Sequence, residues 1–119
     1  MTFQSGIAGD VLFDSDQATI RPEAAEALGA VVEQVNATTA PGSPIRIEGH
    51  TDDLADEADN LDLSQRRAQA VTDWLVANGG IDPARITVVG LGESSPAYSN
   101  DSDENRARNR RVVITVDDP

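Results

Sequence analysis

Apolar positions along the chain fall into segments of two different periods. Ala24, Ala27, Leu28, Val31, Val32 and Val35 recur at helical spacing, which predicts an amphipathic helix of about four turns behind Pro22. Pro22 suits a first helical position, and Glu23 and Glu26 fall in the first turns, beside the positive end of the helix dipole. TTAPGSP at residues 38–44 ends that helix and forms a loop. The period then changes to two. Ile45, Ile47 and Gly49 share one face of a strand whose other face carries Arg46, Glu48 and His50. Residues 51–62, TDDLADEADNLD, show no regular apolar spacing and read as a loop.

Ser64 is placed to cap a second helix, with Leu63 and Ala68 as a small hydrophobic staple. Ala68, Val71 and Leu75, with Trp74 alongside, make its buried stripe, and Gly79-Gly80 stops it. ITVVGL at residues 86–91 predicts a strand, and residues 92–103 predict a loop. Asp103 to Asn109 predicts a short helix, and Val112 to Val116 a last strand. Val11 to Phe13 reads as a short first strand.

Residues 51–85, between the two apolar strands, are long enough for a right-handed βαβ crossover joining parallel strands. The first and last strands then join the same sheet antiparallel. The expected fold is an α/β two-layer sandwich: a mixed sheet of about four strands with helices on one face. Neither a repeat nor a long linker divides the chain, so residues 1–119 are expected to form one domain with its core over about 10–117.

Charge narrows the partners. The chain has 21 acidic and 9 basic residues, a formal net charge of -12, and all the basic residues are arginine. That balance argues against nonspecific attraction to nucleic acid or anionic lipid, so an anionic ligand has to be held locally by arginines. Zero cysteines exclude disulfide and thiol chemistry. No apolar run approaches the roughly 20 residues of a membrane span, and no signal peptide is expected from Met1-Thr2-Phe3.

With Ser64 as cap, Arg66 and Arg67 fall in a first helical turn, where positive charge is unfavourable. An arginine beside free helix-end amides makes a carboxylate or phosphate site, and Asp52, just past the strand, is placed to meet a cationic part of the same ligand. The plain alternative is that Arg67 pairs with the carboxylates of residues 52–62. His50 is the single histidine, which excludes a several-histidine metal site and favours a packing role. The acidic loop lacks the oxygen spacing and glycine of a calcium hand, and DSDEN at 101–105 is followed by Arg106 where that loop needs glycine. No nucleophile or water-activating pair stands out, so no enzyme, cofactor or metal is expected. Arg106, Arg108, Arg110 and Arg111 form a basic cluster without interleaved aromatics, which is poor evidence for nucleic acid.

Taken in order, these segments carry a resemblance. Phe13-Asp14-Ser15-Asp16, Pro22-Glu23-Ala24, Gly49-His50-Thr51-Asp52, Asn60 with Leu63-Ser64-Gln65-Arg66-Arg67-Ala68, Gly90-Leu91-Gly92-Glu93 and Arg106-Ala107-Arg108-Asn109-Arg110-Arg111-Val112 span nearly the whole chain. The chain resembles the peptidoglycan-binding domain at the C-terminus of outer-membrane protein A, also found in peptidoglycan-associated lipoproteins and flagellar stator proteins.

The resemblance implies noncatalytic binding of the peptidoglycan stem peptide through its meso-diaminopimelate residue, anchoring a parent envelope protein to the wall. It places the domain on the periplasmic or wall-facing side of the cell envelope, with the parent membrane-anchored and the isolated domain not inserted. By position, Asp52 takes the diaminopimelate ammonium, Arg67 clamps its carboxylate, Asn60 lies in the pocket wall and Thr51 lies beside the ligand loop. Arg106, Asn109, Arg110 and Arg111 match supporting positions. Ala55 departs from the family pattern, which commonly has glycine there. The other reading of the same residues is an interaction module that keeps the fold and contacts a protein through its acidic loop.

Overall fold

The computed structural model of the chain describes residues 2–117. Its strands are β1 (Thr2–Ala8), β2 (Ile45–His50), β3 (Ile86–Gly92) and β4 (Arg111–Asp117). Its α-helices are α1 (Gly9–Leu12), α2 (Ala25–Thr38), α3 (Glu57–Gly79) and α4 (Asp103–Asn109), with 3-10 turns at Pro22–Ala24 and Pro83–Arg85. The sheet order is β1-β4-β2-β3. β2 and β3 are parallel and joined through α3, as the spacing predicts. β4 runs antiparallel to both β2 and β1.

Alternation along β4 sends Val112, Ile114 and Val116 into the core, beside Ile45 and Ile47 of β2. The stripes of α2 (Leu28, Val31, Val35) and α3 (Ala68, Val71, Leu75) cover that face of the sheet. Gly80, at φ +67°, takes the left-handed conformation that terminates α3. The α/β sandwich with a mixed four-stranded sheet therefore stands.

Two segments differ from expectation. Val11 is not in a strand: residues 9–12 form one helical turn that buries Leu12, and Phe13 makes only an isolated bridge to Ile20. The strand that joins β4 is Thr2–Ala8, and its Ile7 belongs to the core. Its inward positions are Phe3, Ser5 and Ile7, so a serine interrupts the apolar alternation.

The second difference matters more for the site. α3 starts at Glu57, about two turns before Ser64. Glu57 and Asp59 occupy its first turn, where the dipole favours carboxylates. Ser64 is therefore no cap, and the staple of Leu63 and Ala68 does not form at a helix end. Ser64 sits mid-helix and fully buried, its Oγ donating to the Leu61 carbonyl and accepting from the Gly92 N–H. The face that carries Ala68, Val71 and Leu75 continues toward the N-terminus as Asn60, Ser64 and Arg67, all buried. A polar continuation of an apolar stripe leaves no hydrophobic period to read.

Candidate functional site

One end of that polar stripe opens into a cavity of about 660 Å³ between the loop after β2, the first half of α3, residues 10–21 and Arg110. Thr51, Asp52, Asn60 and Arg67 all line it. Strand geometry delivers the first pair: the Thr51 N–H donates to the Gly92 carbonyl at 2.9 Å, carrying the β2–β3 pairing one residue past the strand. Thr51 Oγ1 donates to the Asp52 carbonyl at 2.9 Å. Asn60, from the first turns of α3, donates through Nδ2 to the Asp52 and Ala55 carbonyls and to Glu93 Oε1, at 3.1 to 3.2 Å. It thereby ties the acidic loop to both the helix and the end of β3.

Arg67 is 5 % exposed. Its Nε donates to the Gln17 carbonyl at 2.8 Å and its Nη2 to the Asp14 carbonyl at 3.4 Å. The guanidinium lies 4.9 Å from the centre of the Phe13 ring, a cation–π contact. No carboxylate among the described residues forms an ion pair with it, so the pairing with residues 52–62 is absent. Burial pulls its pKa below the ordinary arginine value, and the more distant Asp10 and Asp16 oppose that effect. It stays cationic, as arginine does at any ordinary pH.

The expectation of an arginine beside helix-end amides is corrected here. Arg67 stands well inside α3, whose backbone amides are committed to the helix, so the cavity's positive end is the guanidinium alone. Arg66 points away, exposed and paired with Asp62 at 2.8 Å.

Asp52 is 8 % exposed and pairs with Arg110, Nη1 to Oδ2 at 2.7 Å. The same guanidinium contacts Asp10, and its pKa is raised, first by the hydrogen bond to Asp10. Arg110 thus lines the cavity. Arg106, Asn109 and Arg111 do not. Arg106 pairs with Asp53 at 3.1 Å and holds the loop beside Asp52. Asn109, fully buried, gathers the Ala97 and Tyr98 N–H groups on its Oδ1 and donates to the Tyr98 carbonyl and Asn100. Arg111 donates to the Asn109 and Ser95 carbonyls, its pKa lowered by burial. Asn109 and Arg111 thus hold the 95–100 segment, and Arg106 the loop after β2.

Among the lining residues to which sequence reasoning assigned no role in the site are Asp10, Phe13, Asp14, Asp16, Arg21 and Leu54. The first five come from a segment 31 or more positions before Asp52, and only the Phe13-Asp14-Ser15-Asp16 match hinted at them. Asp16, at φ +59°, lets the turn present the Asp14 and Gln17 carbonyls to Arg67. Among the described residues, no group of three or more histidine, aspartate or glutamate side chains is arranged to hold a metal ion. Among the described residues, no helix is long and apolar enough to cross a membrane.

The cavity is thus two-signed, with one buried carboxylate and one buried, carboxylate-free guanidinium. Residues 12–110 match the family model described as the OmpA family. The chain is 43 % identical over 107 residues to outer membrane protein A of Bordetella avium, covering 90 % of this chain and 54 % of that protein. It is 40 % identical over 108 residues to the peptidoglycan-binding protein ArfA of Mycobacterium bovis, covering 91 % of this chain and 32 % of that one. The chain therefore spans about half or less of the length of these relatives. Among solved structures, the cell wall anchor of the T6SS from Pseudomonas aeruginosa superposes with a TM-score of 0.85 at 36 % identity, covering 99 % of this chain and 82 % of that one.

Proposed function

The chain belongs to the OmpA family, and from that premise we propose that it is a noncatalytic peptidoglycan-binding module. It binds the stem peptide through meso-diaminopimelate and anchors a parent, membrane-attached envelope protein to the cell wall from the wall-facing side. A relative at 40 % identity is named for peptidoglycan binding, which supports the polymer as partner. The finer assignment rests on one observation: Arg67 is buried without a carboxylate partner in the same cavity as Asp52.

A diaminopimelate side chain ends in an amino-acid head, with one ammonium and, unless amidated, one carboxylate. In this reading the carboxylate pairs with Arg67 in a forked contact and the ammonium is drawn to Asp52. Asn60 and Thr51 hold the Asp52 loop in register for it. Lysine lacks the second carboxylate, so a lysine stem leaves the buried guanidinium unmatched, at a cost of about 1–3 kcal/mol. With a net charge of -12 the chain has no long-range attraction for an anionic wall. Binding is local and modest in each site, and strengthened by repetition along the polymer.

The test is a titration of the domain with a defined diaminopimelate muropeptide and its lysine counterpart, followed by amide chemical shifts. Shifts at Thr51, Asp52, Asn60 and Arg67 that saturate with the first and are about tenfold weaker with the second support the reading. Equal responses to both, or shifts confined to another surface, defeat it.

A further inference from the structure

Asp52 meets the cavity already partnered. Its Oδ2 accepts from Arg110 Nη1 at 2.7 Å, and its Oδ1 accepts from the Leu54 backbone N–H at 3.1 Å. Asp10 grips the same guanidinium from its other edge, through Nε and Nη2 at 3.2 Å each. One cation is therefore shared between an acid in α1 and an acid on the loop after β2. The two acids differ in setting: the Asp10 side chain is 64 % exposed and that of Asp52 is 11 % exposed. Arg67 has no such partner. The acidic end of the cavity holds an internal cation, while the basic end holds an unmatched guanidinium.

We propose that Arg110 is a built-in competitor for Asp52, which sets an affinity threshold that an ammonium alone does not pass and a head bearing a carboxylate does; this role rests on the function proposed above. A ligand carrying only an ammonium has to displace the Arg110 guanidinium from Asp52 and gains nothing at Arg67. A zwitterionic amino-acid head offsets the same displacement by pairing with Arg67. The displacement costs both ligands alike, so the preference between them comes from Arg67, while Arg110 sets the threshold that an ammonium alone does not pass. Asp10 sets how readily the competitor yields. Because it holds Arg110 by two charge-assisted bonds, the guanidinium can leave Asp52 and keep a partner.

Three variants of the folded domain separate this from simpler effects, with folding checked by circular dichroism. Arg110→Gln frees Asp52, so affinity rises about tenfold for both muropeptides, while the preference between them, set at Arg67, stays as it was. Asp10→Asn leaves Asp52 as the only acid on Arg110, so both ligands bind more weakly. Arg66→Gln removes one positive charge from the exposed face of α3, outside the cavity, so both affinities stay as they were.

A loss of diaminopimelate binding in Arg110→Gln would make Arg110 a direct ligand contact and overturn the proposal. An equal rise in affinity in Arg66→Gln would reduce it to overall charge, and it would also fall. If Arg110→Gln does not fold, Asp10→Asn decides, and affinities unchanged from wild type overturn it. Methylammonium provides an arm independent of peptidoglycan. Should wild type bind neither muropeptide, the peptidoglycan reading fails; methylammonium-induced shifts at Asp52 and Leu54 in Arg110→Gln but not in wild type still support the competitor, and their absence in both overturns it.

Discussion

The Oγ of Ser64, in the middle of α3, accepts a hydrogen bond from the backbone N–H of Gly92 at the end of β3, at 2.9 Å. This bond crosses the helix–sheet interface next to the site and is possible because the two backbones approach closely. A Cβ on Gly49 of β2 would run into the Ser64 carbonyl. Ser64→Ala strands a buried N–H, so unfolding in urea should show a loss of about 1–3 kcal/mol with an unchanged m value. Gly49→Ala should cost more, since helix and strand have to separate. A Ser64→Ala midpoint equal to that of wild type would show that the bond contributes nothing to docking α3.

Arg67→Lys keeps a positive charge and removes the fork. The Gln17 and Asp14 carbonyls lose their donors and the stacking on Phe13 is lost. Stability should drop by about 1–3 kcal/mol. Affinity for a diaminopimelate muropeptide should fall roughly tenfold or more, with little change for a lysine muropeptide. Calorimetric titration of both ligands reads the contrast, and retention of full discrimination by the lysine variant would remove Arg67 from the recognition argument.

The basic terminal motif divides between two jobs, and Asn109 shows the structural one. It is 0 % exposed and its amide organises the 97–100 segment through both its oxygen and its nitrogen. Asn109→Asp keeps the acceptor but replaces the donating nitrogen with an oxygen facing the Tyr98 carbonyl and Asn100 Oδ1. The expected result is destabilisation of about 2–4 kcal/mol by urea unfolding, from repulsion and a buried charge. Faster hydrogen exchange at Ala97 and Tyr98 should accompany it. A variant as stable and as protected as wild type would show that the loop is held by other means.

Legibility in the sequence followed the chemistry of the buried faces. α2, β2, β3 and β4 bury apolar side chains at regular spacing, so their periods read directly. β1 lies at the sheet edge and puts Ser5 between Phe3 and Ile7, which hides its alternation. The first turns of α3 turn Asn60, Ser64 and Arg67 inward, and a buried polar face has no hydrophobic signature. The same blindness shifted the perceived helix start to Ser64 and produced helix-end amides that the helix does not offer there. Asp52, Asn60 and Arg67 still converge, because motif spacing carried them independently of where the helix begins. The coupling of Asp52 to Arg110 and Asp10 joins residues 58 and 100 positions apart along the chain, and only the fold could reveal it.

His50 carries the pH dependence on the neutral side. It is 5 % exposed at the end of β2, and its Nδ1 has no hydrogen-bond partner among the described residues. Arg46 and Glu48 on its own strand and Arg111 on β4 are the charged groups that act on it, with Glu48 Oε1 3.9 Å from Nε2. Burial is the largest influence and lowers its pKa, Arg111 lowers it further, and Glu48 opposes both. The unfolded chain titrates near the ordinary value of about 6.5, so below that pH it binds a proton that the folded chain resists. This contribution to stability is therefore complete above about pH 6.5 and is lost as pH falls through the interval down to the folded pKa. His50 is the only histidine, the side chain whose ordinary value falls in this range, so the slope between about pH 7.5 and 5.5 belongs largely to it. Urea unfolding across that range should show wild type losing stability on acidification and His50→Gln losing much less, whatever its absolute level. Parallel losses in the two proteins would assign the slope to other groups.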